Sequence, residues 1–240
     1  MISEFIKGDA RRAFDVLKGG GIAIIPMDVG YTCAGGSREA LQKIFDTKKR
    51  AASKRNAMVG DMAIAEELYD LSAKAWDVIN VITKDYDLPL GAVGPCTIDH
   101  PLLQALDEEA IEASTKDGTL VMLINAGPFH SEICRLSLKE LHPIFGSSAN
   151  ISLTGTKFRV EDIDKEIIDI ADIVIDHGLR KYDFYQQSST LLNVETFEVV
   201  RKGSNYEIIA DICSRRFGAV SYTHLRAHET RGNLVCRLLL

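Results

Sequence analysis

Apolar residues along this chain fall into short blocks, and the spacing within each block predicts an element. Ile22-Ala23-Ile24-Ile25-Pro26 is short, continuous and β-branched, the signature of a strand buried on both faces. Thr119-Leu120-Val121-Met122-Leu123-Ile124 gives the strongest strand signal. Ala57-Met58-Val59, Ile144-Phe145-Gly146 and 171–175 predict shorter strands, and 189–194 with 198–201 a late pair. Between them the apolar positions recur at helical spacing. Asp9 predicts the N-cap of a helix to Leu17, ended by Gly19-Gly20-Gly21, and Ser37 the cap of a helix to about Lys48. One or two helices are expected over 62–84, with Ile64, Leu68, Leu71, Ala75 and Ile79 on one stripe. Further helices are expected over 129–140 and near 161–170. Residues 27–36 read as a polar loop and 88–95 as a turn-rich connection.

Strands alternating with helices predict an α/β domain, and the late strand pair predicts a mixed rather than purely parallel sheet. At 240 residues the chain is long enough for one large core without disulfide or metal staples. Its 46% hydrophobic and 26% charged residues exclude fibrous and disordered classes. No apolar run reaches membrane-spanning length, and the charged start MISEFIKGDARR is unlike a secretory signal, so a cytoplasmic location without membrane partners is expected. The net charge of −6 argues against non-specific nucleic-acid coating, though a local basic patch can still hold an anion. Five widely spaced cysteines without a C-x-x-C read as buried small hydrophobes. The last twenty residues break the composition, and SYTHLRAHET resembles translated adapter sequence. A domain over 1–218 and a peripheral tail over 219–240 are therefore expected.

Four constellations carry candidate chemistry. Lys48-Lys49-Arg50 with Lys54-Arg55 places five cations in eight residues, suited to a phosphate or carboxylate or simply to a solvated helix end. Gly146-Ser147-Ser148-Ala149-Asn150-Ile151-Ser152 supplies hydroxyls and an amide after a short strand, either as an anion-binding turn or as ordinary capping. Pro26-Met27-Asp28-Val29-Gly30-Tyr31 delivers an acid and an aromatic at a strand end, where α/β domains place ligand contacts. Ser188-Ser189-Thr190 and Arg201-Lys202-Gly203 can face one cavity from neighbouring strands. Walker, H-E-x-x-H, G-x-S-x-G and dinucleotide signatures are absent from the sequence.

Taken in order, these segments resemble the YrdC-like threonylcarbamoyl-AMP synthase family over about residues 9–205. The P-T-D-T-x-Y-G-L strand end is similar to Pro26-Met27-Asp28-Val29-Gly30-Tyr31-Thr32-Cys33. K-x-R is matched by Lys48-Lys49-Arg50, P-G-P-x-T by Val93-Gly94-Pro95-Cys96-Thr97, and S-A-N by Ser148-Ala149-Asn150. S-T-V-V and R-x-G are similar to Ser189-Thr190-Leu191-Leu192 and Arg201-Lys202-Gly203. The family hydroxyls are replaced by Met27 and Val29, a family arginine by Leu123, and the glycine after S-A-N-x-S by Leu153.

The resemblance implies an open, twisted, mixed α/β sheet flanked by helices, with a concave basic cavity. It implies synthesis of threonylcarbamoyl-AMP and pyrophosphate from L-threonine, bicarbonate and ATP, with Mg2+ travelling on ATP, in the service of tRNA modification. Nucleotide and substrate contacts are then expected at Asp28, Tyr31, Lys48, Arg50, Thr97, Ser147, Ser148, Asn150, Ser189 and Arg201. No covalent nucleophile and no protein-held metal are expected. The substitutions at Met27, Val29 and Leu123 imply altered amino-acid and nucleotide contacts. They leave open a non-catalytic module that binds nucleotide, tRNA or double-stranded RNA, or a related carbamoyl transferase.

Overall fold

The β-branched run Ile22–Met27 forms β1, and its alternation feeds two separate cores. Ala23, Ile25 and Met27 join the larger cluster, whereas Ile22 and Ile24 join a smaller one. A strand with both faces covered has no room for polar residues, which is why this segment reads as continuously apolar. The computed structural model describes residues 2–49, 55–104 and 106–219.

The elements run α1 (Glu4–Lys18), β1, β2 (Gly30–Gly35), α2 (Arg38–Thr47), β3 (Ala57–Val59), α3 (Met62–Leu68) and α4 (Ala73–Asn80). A π-helical turn over Val81–Asp85 leads to β4 (Leu90–Pro95), α5 (Glu108–Ser114), β5 (Thr115–Lys116), β6 (Thr119–Ile124), α6 (Pro128–Lys139) and β7 (Phe145–Ser148). There follow α7 (Lys165–Ile168), β8 (Ile173–Val174), β9 (Leu191–Asn193), β10 (Val199–Arg201) and α8 (Tyr206–Phe217).

The strands form one open mixed sheet in the order β10-β9-β4-β6-β3-β7-β2-β1-β8, with β5 beside β6. β1–β8, β3–β6 and β4–β9 are parallel pairs, and the others are antiparallel. The larger core holds Phe14 of α1, Phe129 of α6, Ile64 of α3 and Ile209 of α8. Each fully buried side chain of this size contributes roughly 1.5–3 kcal/mol relative to exposure. The smaller core lies under α2 and α7, with Tyr31, Cys33, Ile44 and Ile167.

In the middle of the sheet the second face is open. In β6, Leu120, Met122 and Ile124 are buried while Thr119, Val121 and Leu123 are only partly covered. Gly91 and Val93 of β4 pair in register with Leu123 and Val121 and lie on that same open face.

Several expectations need correction. The first helix begins six residues earlier than predicted, capped by Ser3, whose hydroxyl accepts from Ile6 N at 3.3 Å. Asp9 lies inside that helix, held by Arg12 and His177. Much of the predicted loop 27–36 is strand β2, the second arm of a hairpin whose turn uses Gly30 at φ +112°. The predicted connection 88–95 is strand β4, and the predicted helix 161–170 reduces to a 3-10 turn and one turn of α7. The tail from 220 onward lies outside the described residues. Cys33, Cys134 and Cys213 are buried free thiols, as expected, and Cys96 is half-buried.

Candidate active site

Seven consecutive strands, from β10 to β2, contribute to one cavity of about 540 Å³ on the open face. Its floor is apolar, built by Val93, Val121, Leu123 and Leu191. Gly91 leaves room there for the Leu191 side chain of the neighbouring strand, which a Cβ would force to shift. Lys48, Arg55, Lys116 and Arg201 line the walls, and no carboxylate does among the described residues. In a chain of net charge −6 this concentrates positive potential in one concavity.

The polar wall at the β7 end is built around Lys48, the residue that ends α2. Only 3% of Lys48 is exposed. Its ammonium donates to the carbonyl oxygens of Ser148 and Asn150 and reaches Asn150 Oδ1 at 3.5 Å. Its own carbonyl accepts from Ser152 N at 3.0 Å. An ammonium has three protons, and three loop oxygens surround this one. The Ser147–Ser152 turn is thus pinned to the end of α2 by a buried charge. Asp164 pins it from the other side, accepting from Ile151 N at 2.9 Å, and that bond holds the Asp164 carboxyl below its usual pKa. Within the turn, Ser148 Oγ donates to Asn150 Oδ1, and Asn150 Nδ2 donates to Ile151 O at 2.5 Å. Ser147 Oγ is buried with no hydrogen-bond partner in the described protein.

At the far end, Arg201 Nη2 donates to Ser189 O at 2.8 Å, which joins β10 to the segment before β9. Ser188 and Ser189 line the cavity beside it. Ser188, Ser189 and Arg201 thus line one cavity, whereas Thr190 is buried and its hydroxyl donates to Ser204 O at 2.9 Å.

Lys48, Ser147, Ser148, Asn150, Ser189 and Arg201 therefore come together, while Arg50 lies outside the described residues. Asp28, Tyr31 and Thr97 do not line the cavity. Asp28 sits beside Gly127 at the start of α6, paired with Arg180 at 3.4 Å, and burial raises its pKa. Tyr31 points into the smaller core, where its hydroxyl meets Asp176 and Gly178, and burial pushes it up to about 12. Thr97 is exposed beyond the end of β4. Met27 and Val29 are buried in the larger core, so their loss of hydroxyls changes no side chain on this cavity. Leu123, by contrast, is on the floor. The sequence reading missed Thr32, Ser114, Lys116 and Thr119 as cavity residues. Their one signal was the alternation of β6, which marks Thr119 as facing away from the core.

Residues 15–203 match the Sua5, YciO and YrdC family, described as "Telomere recombination". The chain belongs to that family. Among solved structures it is similar to a hypothetical protein, smu.1377c, from Streptococcus mutans, with TM-score 0.70 and 21% identity over 89% of this chain and 93% of that one. It is also similar to P. abyssi Sua5 complexed with L-threonine, with TM-score 0.69 and 18% identity over 90% of this chain but 59% of the Sua5 chain. E. coli YciO aligns with TM-score 0.64 and 18% identity over 82% of this chain and 90% of its own. At these identities the likeness establishes the fold, an open mixed sheet flanked by helices. No curated protein matches the chain. Among the described residues no helix is long and apolar enough to cross a membrane.

Proposed function

We propose that this chain is a carbamoyl-adenylate synthase of the threonylcarbamoyl-AMP type, acting on ATP, bicarbonate and L-threonine in the cytoplasm. The observation that carries this reading is the cavity itself, with four cations, several hydroxyls and no described carboxylate around an apolar floor. Such a lining suits ATP, bicarbonate and the carbamate formed from threonine, each of which is an anion. The presence of L-threonine in the P. abyssi Sua5 complex supports the choice of amino acid.

In this reading the amine of threonine and bicarbonate condense to a carbamate with loss of water. A carbamate oxygen attacks the α-phosphorus of ATP. A new P–O bond forms, the α–β anhydride bond breaks, and pyrophosphate leaves with its magnesium ion. No protein nucleophile takes part, so the protein contributes position and charge neutralisation. Ser148, Asn150 and Ser147 offer hydrogen bonds to a carboxylate or phosphate at one end, and Arg201 with Ser189 at the other. Lys48 acts through the turn it holds, and Arg50 follows it in the same basic run. The product feeds adenosine modification in tRNA.

The deciding experiment is pyrophosphate release from ATP and bicarbonate, with and without L-threonine. Threonine-dependent release is expected. Leu123 on the floor favours a second reading, a module that grips nucleotide, tRNA or double-stranded RNA without synthesis, because it leaves the middle of the cavity apolar. Retention of RNA on a gel with no release under any condition selects that module.

A further inference from the structure

The β5–β6 hairpin brings a second polar cluster to the cavity, remote from the Ser148–Asn150 turn. Ser114 closes α5 and is 1% exposed. Ser114 lines the cavity, and its buried hydroxyl has no hydrogen-bond partner in the described protein. A buried hydroxyl left unpaired carries its full desolvation penalty, which a ligand oxygen accepting its proton would relieve. Two cations flank it. Arg55 Nε donates to Thr115 O at 2.9 Å, which fixes the guanidinium against the hairpin. Lys116 is exposed and lines the same wall. The nearby acids of α5, Glu108, Glu109 and Glu112, and Asp117 of the hairpin turn do not line the cavity.

The sheet order sets the spacing between the two clusters. β7 ends where β3 and β6 begin, since β3 is antiparallel to β7 and parallel to β6. Ser148 and Thr119 therefore stand at one edge of the sheet, two strand spacings apart, about 10 Å. The cavity thus offers anion-binding groups at two separated points along this edge, with apolar floor beside them.

We propose that Ser114, Arg55 and Lys116 form a subsite for the phosphate chain of a nucleotide, distinct from the turn held by Lys48. The assignment rests on the nucleotide reading above and names the wall on which the β- and γ-phosphates lie. The hydroxyl donates to a phosphate oxygen and the two cations neutralise it.

The test measures calorimetric affinity for ATP, AMP and inorganic pyrophosphate in the full chain and in Ser114→Ala and Lys116→Ala. Each substitution is expected to weaken ATP and pyrophosphate about tenfold, the factor for one charge-assisted contact, and AMP by less than twofold. Thermal stability should stay level or rise in Ser114→Ala, because an unpaired buried hydroxyl is removed. A purely structural serine would move stability and leave affinity alone. If the unaltered protein binds ATP and both variants bind it equally, the subsite is wrong and the nucleotide reading survives. If pyrophosphate binds with the expected sensitivity and neither nucleotide binds, the subsite stands as a free-phosphate site and the nucleotide reading falls. Binding of none of the three probes overturns both.

Discussion

Lys48 Nζ lies 2.5 Å from the carbonyl oxygen of Asn150, which is 102 residues further along the chain. The pair closes the cavity's polar wall, and it makes the lysine a determinant of stability. Lys48→Ala is expected to lose about 1–3 kcal/mol of stability, because two loop carbonyls lose a charged donor. Urea denaturation checks this. Lys48→Arg should not restore the loss, since a planar fork cannot point at three oxygens around one atom. An alanine variant as stable as the parent would show that the turn holds itself.

Tyr31 provides the opposite case. Its hydroxyl accepts from His177 N at 3.0 Å and shares its proton between Gly178 O, at 2.8 Å, and Asp176. Tyr31→Phe should therefore destabilise the fold by about 1–2 kcal/mol. ATP affinity should be unchanged, because only the backbone of Tyr31 reaches the Ser148–Asn150 turn, accepting from Ala149 N at 2.8 Å. A loss of affinity without a loss of stability would put this tyrosine on the cavity after all.

Leu153 is 94% exposed and is held at φ +73° on the rim of the cavity. A leucine in that region of backbone space is strained by about 1–2 kcal/mol, partly offset in a glycine variant by greater freedom of the unfolded chain. Leu153→Gly should accordingly gain about 0.5–1 kcal/mol. Chemical denaturation decides the sign, and a destabilised variant would mean that the leucine side chain packs in solution.

Glu140 accepts from Arg11 at 2.6 Å and from Lys18 at 2.8 Å, tying the end of α6 to the middle and the C-terminus of α1. Those bonds lower its pKa from 4.5 to about 2. A depressed carboxylate stabilises the fold above its unfolded value and loses that contribution as the pH falls towards the folded one. Glu140→Gln should melt below the parent at pH 7, and the gap should narrow as the pH drops from 4.5 towards 2. A gap independent of pH would show that the charge is not what matters.

Much of the sheet was legible because its strongest strands announce themselves. β6 and β1 carry β-branched runs whose bounds the structure matches to within a residue. β4 was not legible, since Leu90-Gly91-Ala92-Val93-Gly94-Pro95 has the glycine and proline content of a turn. Those glycines serve close approach to Leu191 and Leu71, a tertiary reason that no local pattern contains. The site divides the same way. Ser148, Asn150, Ser189 and Arg201 lie in recognisable motifs, whereas Ser114 and Arg55 share one wall only because the hairpin returns past the start of β3. Asp28 and Tyr31 sit in a recognisable motif too, yet the hairpin between β1 and β2 carries them to the α6 end and the smaller core.

The order of the sheet also sets a timetable for synthesis. Leu191 pairs with Gly91, and Arg201 closes the far wall beside it. A nascent chain can lay down β1 to β7 with the turn that Lys48 secures, and still have no complete cavity until β9 and β10 leave the ribosome. Pairing across a hundred residues is among the slower events of folding. The basic trough is thus the last feature of the sheet to mature, and a polypeptide stopped short of residue 190 would carry half a cavity facing open water.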